Sequence, residues 1–393
     1  MKRSTERILT THVGSLVRPP EVIEAMRAIE AGQTYDERAF AETLRRSVAE
    51  VVRRQAEAGV DVPSDGEFGK RSWTQYVRDR LGGLEWRERQ PGEEAPIGSR
   101  SPFTALFPGF FASQSEGGQG GGGQRGPAGS WVCAAPLTYT GQKQLQRDID
   151  NFKAALTQVQ VEEAFLPVAA PCSVEVGLPN RYYKTEEEYA FAVADAMKDE
   201  YKAIVDAGLL VQLDDAYLAT VAVRLFEGRD PQGYRKYAEL RVEATNHALK
   251  GIPSDRVRYH ICWGSQPTPH TWDAPLEEFV DLVLKVNADA HCIEAANPRH
   301  EHEWQLWEKV KLPEGKVLVP GLVSHATNIV EHPELIAWRI GNFARLVGRE
   351  NVMAGTDCGF AQGWQTQRVH PEIQWAKLSA IAEGSKLASQ RLW

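Results

Sequence analysis

The chain alternates between short apolar segments and longer segments in which apolar residues recur at the spacing of a helix face. The short segments have the pattern of strands. In chain order, the strand candidates are RILTTHVGS, GVDVPSDGE, SWVCAAPLTY, AFLPVAAPCSV, GLLVQLDDA, RVRYHICW, DAHCIEAAN, KVLVPGLVS and NVMAGTDCG. Strand and helix alternate over the whole length, which predicts a parallel sheet with helical connections.

Two of the intervening helices have recognisable ends. In KTEEEYAFAVADAMKDEYKAIVDAG, Thr185 and Glu188 fit a capping box and Gly208 fits a helix stop. In RDPQGYRKYAELRVEATNHALKG, Asp230 fits the N-cap and Pro231 the first helical position. We therefore predict that both segments form complete helices between strands.

The number of strand and helix repeats predicts an α/β fold, a (β/α)8 TIM barrel that residues 1–393 form as a single domain. Nine strand candidates compete for the eight places of such a barrel, so one candidate must lie outside it. The sequence alone does not identify that candidate.

One segment departs from the alternating pattern. Residues 84–130 are polar and irregular, and they contain the run GGQGGGGQRG, which cannot hold one backbone conformation. We predict an irregular Gly-rich insertion within the barrel, for which a solvated linker loop is the simplest interpretation.

Composition narrows the class of protein. An apolar content of 42% with 25% charged residues is that of an ordinary globular protein. No segment approaches the roughly 20 apolar residues of a membrane span, and the start MKRSTERILTTHVGS lacks a secretory signal, so we expect a cytoplasmic location without membrane contact. A net charge of −8 without a basic cluster argues against nucleic acid as a partner. Five scattered cysteines favour free thiols or metal ligands over disulfides.

Polar residues cluster where the predicted strands end, and the active site of a TIM barrel is built from those ends. They are Ser15, Asp65, Glu67, Asp214, Asp215, His260, Cys262, Glu294, Ser324, His325, Asp357 and Cys358. Each has a structural explanation when taken alone, since Asp and Ser cap helices and a buried His or Cys often simply packs. His260 and Cys262 would share one face of their strand, because side chains alternate along a strand.

Nitrogen, sulfur and oxygen donors occur together in this set. A mixture of this kind suits tetrahedral zinc and suits magnesium or calcium poorly. The four donors are His260, Cys262, Glu294 and Cys358. Their long separations are unlike a zinc finger, but in a barrel each ligand can come from a different strand end.

Six segments in order resemble the catalytic barrel of the cobalamin-independent methionine synthases. They are TTHVGSLVRP, SDGEFGK, VQLDDAYLA, YHICWGS, CIEAANPRHEHEW and VMAGTDCGF. The resemblance covers nearly the whole chain, and it extends especially to the short single-barrel relatives, among them epoxyalkane:coenzyme M transferase. In that family a zinc ion activates a thiol for alkylation. The zinc ligands that the resemblance implies here are His260, Cys262, Glu294 and Cys358.

The resemblance also implies how an amino-acid thiol is held. Glu67 and Asp214 match two acidic residues that meet the amino group of homocysteine, and Ser15 matches the turn that binds its carboxylate. His325 is the candidate for the acid that protonates the leaving group, although it lies one residue out of step with the family's histidine. It could instead cap the helix of EHPELIAWRI.

A further departure from the family pattern follows Asp214. The family's D-E-P reads Asp214-Asp215-Ala216 here. Cys292 precedes Glu294 by two residues and would share its face, so it is the reserve zinc ligand if the carboxylate turns away.

These features predict zinc-dependent transfer of a methyl or other alkyl group to homocysteine or a related small thiol, by way of a zinc-bound thiolate. The first alternative is epoxide opening by a zinc-bound thiol, as in epoxyalkane:coenzyme M transferase. A sulfonate acceptor for that reaction would have no amine for Glu67 and Asp214, whereas Arg18 or Lys70 would suit it. The second alternative is a zinc-stabilised binding protein without catalysis. The donor stays open between methylfolate, a methyl-corrinoid and an epoxide, as does the formation of a homo-oligomer.

Overall fold

A computed structural model of the chain describes residues 1–88, 103–116, 129–226, 230–264 and 269–393. The strands are β1 (Leu9–Thr10), β2 (Leu81–Glu88), β3 (Gly129–Tyr139), β4 (Phe165–Ala169), β5 (Leu210–Asp215), β6 (Val257–Ile261), β7 (Ala290–Ile293), β8 (Val317–Pro320) and β9 (Met353–Ala354). The helices are α1 (Pro20–Glu30), α2 (Glu37–Glu57), α3 (Pro108–Glu116), α4 (Gln142–Leu156), α5 (Pro171–Gly177), α6 (Glu186–Asp206), α7 (Ala216–Arg224), α8 (Pro231–Ala248), α9 (Val280–Lys285), α10 (Pro333–Val347) and α11 (Pro371–Leu392). Short 3-10 helices lie at Gln75–Asp79, Ser254–Arg256, Leu276–Glu278, Glu301–Glu308 and Arg349–Asn351.

Parallel strands form the centre of the molecule. β4 to β8 make one five-stranded parallel sheet in chain order, and β1 pairs with β9, also in parallel. A parallel bridge between Gly321 and Gly355 joins the end of β8 to the end of β9. Seven strands therefore follow one another around the centre, from β4 through β8 to β9 and β1.

The chain around residues 61–63 fills the remaining place. Thr11, directly after β1, makes a parallel bridge with Val62. On the other side, the backbone N–H of Phe165 in β4 donates to the carbonyl of Pro63 at 3.0 Å. This short segment thus lies between β1 and β4, and the predicted TIM barrel is confirmed.

The strand candidate outside the barrel is SWVCAAPLTY. It lies in β3, which pairs antiparallel with β2 in a register that runs from Leu81 opposite Tyr139 to Glu88 opposite Gly129. The predicted insertion, residues 84–130, therefore begins and ends in regular strands, and it contains the helix α3. In these parts the prediction of an irregular segment was wrong, because the pairing joins residues far apart in the chain. The run GGQGGGGQRG lies outside the described residues.

Apolar side chains fill the N-terminal half of the barrel. Alternate residues of each strand point inward, so one residue in two along the ring contributes to this interior. The cluster comprises Leu9, Val62, Phe165, Leu210, Ala290, Cys292, Val317, Val319 and Met353. Full burial of one large aliphatic or aromatic side chain stabilises a fold by about 1.5–3 kcal/mol. This layer supports the polar residues at the strand ends above it.

The predicted helix ends are confirmed. Thr185 caps α6 by accepting the backbone N–H of Glu188 at 3.1 Å, and Gly208 follows the helix with a φ of 88°. Asp230 caps α8 by accepting the N–H of Gly233 at 2.9 Å. Along the described residues, no helix has the length and apolar character needed to span a bilayer.

Candidate metal centre and active site

Neighbouring strands bring the predicted ligands to one end of the barrel. β6 and β7 lie side by side in a register that pairs His260 with Cys292. Cys262 follows His260 by two residues and Glu294 follows Cys292 by two residues, so each lies on the same face of its strand as the earlier residue. Cys358 reaches the same end of the barrel from the segment after β9. Residues separated by up to about a hundred positions therefore lie at one site because consecutive parallel strands all end there.

His260, Cys262 and Cys358 form a compact buried cluster. One candidate ligand atom from each lies within 4.8 Å of the other two, and all three residues are buried. The two sulfur atoms are 3.9 Å apart. Two thiolates bound to zinc at about 2.3 Å and a tetrahedral angle lie about 3.8 Å apart, so the observed separation fits shared ligation. Neither ring nitrogen of His260 has a hydrogen-bond partner, which leaves one free to be a ligand.

The two cysteines differ in their affinity for a proton. The hydrogen bond with Cys262 holds the pKa of the Cys358 thiol well below its ordinary value, with support from His260 and against the effect of burial. The same hydrogen bond, together with burial, raises the pKa of the Cys262 thiol well above its ordinary value. Two buried cysteine sulfurs beside an imidazole form a donor set that a cation can complete.

Glu294 lies beside this cluster with both carboxylate oxygens engaged. Oε1 accepts the backbone N–H of Trp263 at 2.8 Å, and Oε2 accepts the side-chain amide of Asn297 at 2.7 Å. Its negative charge raises the pKa of Cys262, although the hydrogen bond to Cys358 and burial raise it more. The structure thus brings three of the four predicted ligands together and holds the carboxylate next to them.

Cys292 is separate from the cluster. Its sulfur lies 3.8 Å from Oε1 of Gln212 and 3.8 Å from Nη2 of Arg258. Gln212 precedes Asp214 by two residues, and Arg258 precedes His260 by two residues. Both contacts of Cys292 therefore lie nearer to the N-terminal end of the barrel than the ligand cluster does. Cys292 packs with the apolar interior of the barrel, and the ligand cluster does not include it.

Glu67 and Asp214 form a buried acidic pair near the cluster. Burial raises the pKa of Glu67 to about 8, against the opposing charge of Lys70 and with a smaller contribution from the charge of Asp214. Burial also raises the pKa of Asp214 to about 7. Oε2 of Glu67 has no hydrogen-bond partner, whereas Oδ1 of Asp214 accepts the amide of Gln212 at 2.9 Å. A cationic amine placed against the pair would stabilise both charged carboxylates.

The backbone at Glu67 is held in an unusual conformation. Among the described residues, Glu67 is the one non-glycine residue with a positive φ, at 60°. Its N–H donates to Oδ1 of Asp65 at 2.9 Å, which fixes the turn. Such conformations require energy of order 1–3 kcal/mol and occur most often at functional sites.

The turn at Ser15 is fixed from several sides. His12 accepts the N–H of Gly14 with Nδ1 at 3.1 Å, and its Nε2 lies 2.6 Å from Oε1 of Gln55. Gly14 has a φ of 140°, and a Cβ there would lie 2.7 Å from the ring of Pro167, so only glycine fits. Ser15 is buried at the end of this turn, as the sequence predicts for a residue at a strand end.

His325 is buried without a hydrogen bond to either ring nitrogen. Burial lowers its pKa, and the charges of Cys358 and Glu294 act on it in the opposite direction, which locates its ring near the cluster. The residue that caps α10 is His332, whose side chain accepts the N–H of Glu334 at 3.1 Å. The alternative interpretation of His325 as the helix cap was therefore wrong.

The acidic residues next to the site have structural contacts. Asp215 caps α7 by accepting the N–H of Leu218 at 3.1 Å and also accepts the hydroxyl of Tyr259 at 2.8 Å. Oδ1 of Asp357 accepts the N–H groups of Ala295 and Ala296, each at 2.8 Å. The bonds of Asp215 tie the end of β5 to β6 and α7, and those of Asp357 tie the segment after β9 to the segment after β7.

Two polar residues of the site were not anticipated from the sequence. Asn297 holds the carboxylate of Glu294, and Gln212 holds that of Asp214. Asn297 follows Glu294 by three residues, and Gln212 precedes Asp214 by two residues. Spacing alone gives no indication of such a role, because an amide side chain at a strand end is also common in ordinary turns.

Comparison with known proteins adds a family to this geometry. The model of the catalytic domain of cobalamin-independent synthases matches residues 177–378. A methionine synthase from Sulfurisphaera tokodaii is 23% identical over 386 residues, which cover 98% of this chain and 93% of that protein. A methionine synthase from Saccharolobus islandicus is 24% identical over 385 residues, with 98% and 95% covered.

Solved structures show the same fold. A B12-independent methionine synthase from Shewanella sp. W3-18-1, in complex with selenomethionine, superposes with a TM-score of 0.70 at 17% identity over 98% of this chain and 99% of its own. A putative vitamin-B12 independent methionine synthase from Listeria monocytogenes gives 0.66 at 20% identity, with 98% and 99% covered. Because the family model spans half of the chain, the protein belongs to the cobalamin-independent methionine synthase family.

Proposed function

We propose that the protein transfers a methyl group to the sulfur of homocysteine or a related small thiol, with zinc held by His260, Cys262 and Cys358. The observation that carries this proposal is the approach of three buried donors to within 4.8 Å, with both ring nitrogens of His260 unpaired. Relatives named methionine synthase over nearly the full length support the choice of reaction. When bound there, Zn²⁺ supplies the positive charge that keeps a substrate thiol deprotonated at neutral pH.

Glu294 is the fourth donor in this proposal. The N–H of Trp263 and the amide of Asn297 hold its carboxylate beside the three other residues. Each carboxylate oxygen has two lone pairs, so these hydrogen bonds leave acceptor capacity. Glu294 would therefore complete the ligand set of a bound metal with the lone pairs that its hydrogen bonds leave free.

Glu67 and Asp214 hold the amino group of the thiol substrate. Burial disfavours the charge of both carboxylates, and a bound ammonium group restores it by direct interaction. The unpaired Oε2 of Glu67 is available as the acceptor of an N–H bond. The turn that ends at Ser15 is the candidate for contact with the substrate carboxylate.

His325 donates a proton to the leaving group. Burial favours its neutral ring, which has one N–H to donate and one nitrogen that can take up a proton. Both atoms lack a protein partner, so neither function competes with a structural hydrogen bond. A positioned acid of this kind contributes about 10²- to 10⁴-fold in rate.

The proposal is tested by product formation with separate donors. Zinc-loaded protein is incubated with homocysteine and either methyltetrahydrofolate, methylcobalamin or a small epoxide, and the product is identified by mass spectrometry. Methionine should form with one of the methyl donors, only in the presence of zinc. Cys262→Ser should abolish it, whereas Cys172→Ser, a change at an equally buried cysteine outside the site, should not.

Two other results would identify the alternative functions. A thioether formed only from an epoxide would replace methyl transfer by epoxide opening. Absence of any product, together with a zinc X-ray absorption spectrum that no added thiol changes, would indicate a closed structural zinc site.

A further inference from the structure

Two cationic side chains near the barrel mouth already donate hydrogen bonds to backbone carbonyl groups. The guanidinium group of Arg18 donates to the carbonyl of Glu67 at 2.7 Å and to that of Ala361 at 3.3 Å. The ammonium group of Lys70 donates to the carbonyl of Pro167. Because both side chains are buried in these contacts, they are poorly placed to bind an acidic substrate, contrary to what the sequence indicates.

Arg368 differs from these cations. Its Nε donates to Oε1 of Gln362 at 2.8 Å, which orients the guanidinium plane. Within the described part of the chain, no carboxylate pairs with it and its two terminal nitrogens donate no side-chain hydrogen bond. The residue is partly buried, so its charge is incompletely hydrated. The free edge of a guanidinium group matches the two oxygens of a carboxylate or a sulfonate.

The chain after β9 brings Arg368 to the metal centre. The backbone N–H of Arg368 donates to the carbonyl of Phe360 at 3.1 Å, and the N–H of Phe360 donates to the carbonyl of Ser15 at 2.8 Å. Phe360 follows Cys358 by two residues, so the backbone of Arg368 lies close to the ligand cluster and to the Ser15 turn. The charge of Arg368 also acts on His325, and that of Cys358 acts on Arg368.

We propose that Arg368 binds the acidic group of a substrate, a carboxylate or a sulfonate, and thereby makes the site selective for anionic substrates. This inference rests on the proposed function and deepens it by naming the charge that the substrate carries. Charge-assisted, two-point hydrogen bonding by an incompletely hydrated arginine is the physical basis of the selectivity. Selection by Arg368 does not depend on an amino group, so it is separable from the function of Glu67 and Asp214.

Thiol binding tests this inference without turnover. Two thiols of equal length, 3-mercaptopropionate and 3-mercapto-1-propanol, differ in charge and have no amine. Dissociation constants are measured by calorimetry on zinc-loaded protein. Arg368→Gln should weaken the binding of 3-mercaptopropionate about tenfold to a hundredfold and leave the binding of 3-mercapto-1-propanol unchanged. Arg368→Lys should recover part of the loss. Arg256→Gln is the matched control, because Arg256 is also partly exposed but bonds to the carbonyl of Gly208 and directly precedes β6, at the end of the strand opposite to the ligand cluster.

A second measurement distinguishes the two sources of an acidic group. In one outcome, Arg368→Gln leaves the ratio of the dissociation constants of the two thiols unchanged but raises KM tenfold for the anionic donor methyltetrahydrofolate, with no change in KM for methylcobalamin. Arg368 then binds the acidic group of the donor. Equal effects on charged and uncharged thiols, or no selective effect on thiol or donor, would overturn the inference. Wild-type protein that binds neither thiol would overturn the proposed function as well.

Discussion

The sulfur atoms of Cys262 and Cys358 lie 3.9 Å apart, although 96 residues separate them in the chain. Two strand ends on the same side of a closed ring place them there, and the register of the barrel sets the distance. The pair therefore depends on the fold and belongs to the proposed zinc site. Replacing either side chain should therefore affect the proposed zinc site while leaving the barrel folded.

Loss of either sulfur should remove the metal and spare the barrel. We expect Cys262→Ser and Cys358→Ser each to lower zinc from about one atom per chain to a small fraction, because a hydroxyl group is a much weaker ligand than a thiolate. Metal analysis gives the zinc content and circular dichroism gives the fold. Cys172→Ser should retain zinc. A variant that unfolds entirely would favour a structural zinc site.

The acidic pair should determine affinity for an amine. Glu67→Gln and Asp214→Asn should each weaken homocysteine binding by about 1.5–3 kcal/mol, as expected for hydrogen bonds to a charged group. Zinc content should stay the same, and the amine-free thiol 3-mercaptopropionate should bind as before. Calorimetric titration of both thiols provides the comparison. Unchanged affinity for homocysteine would show that the natural acceptor has no amine.

The importance of His325 should depend on the donor. Epoxide opening produces an alkoxide and methylfolate leaves a nitrogen that gains a proton, so His325→Gln should lower kcat by about 10²- to 10⁴-fold with either donor. A methyl-corrinoid leaves a cobalt centre that needs no proton, and its rate should hardly change. The ratio of kcat values for variant and wild type is measured with each active donor. Wild-type rates with an epoxide or methylfolate would show that another group is the acid.

Acid should destabilise the protein through His12. Burial lowers the pKa of His12 to about 3, against about 6.5 for a free histidine. The unfolded chain takes up a proton below about pH 6.5 and the folded protein does not, so this contribution to stability is complete above that pH and declines as the pH falls toward 3. One such proton gives a slope of about 1.4 kcal/mol per pH unit.

A variant isolates this contribution. Asparagine at position 12 still has an oxygen that can accept the N–H of Gly14, but it does not titrate. The free energy of unfolding is measured by denaturant titration between about pH 4 and 6. As the pH falls, it should decrease less steeply in His12→Asn than in wild type, and the slopes should differ by at most the slope of one proton. Parallel curves for the two proteins would exclude His12 as the source.

Residues whose environment is local were predictable from the sequence. The caps Thr185 and Asp230 act on N–H groups three residues away, so spacing reveals them. The barrel was predictable because strand and helix patterns repeat along the whole chain. The strand β3 could not be assigned a place, since its partner β2 has a polar, irregular sequence and precedes it by more than 40 residues.

Side-chain contacts with backbone carbonyl groups far away in the chain were not predictable from the sequence. Arg18 and Lys70 looked available for an acidic substrate, but they bind carbonyl groups, which every residue carries and no sequence pattern marks. Likewise, the interpretation of His325 as the cap of α10 was wrong, because the helix begins at Pro333 and the residue directly before it, His332, is the cap. The position of Arg368 follows from the return of its loop to Phe360.

The β2–β3 hairpin makes the insertion an exchangeable module. Glu88 and Gly129 are partners across the β2–β3 pair, so the two residues that flank residues 89–128 lie side by side. The distance that a replacement segment must bridge is therefore only that between two paired strands, about 5 Å. A two-residue turn would satisfy it, as would a long domain. A change in the length of this segment would therefore leave the eight-stranded ring and its ligands in register.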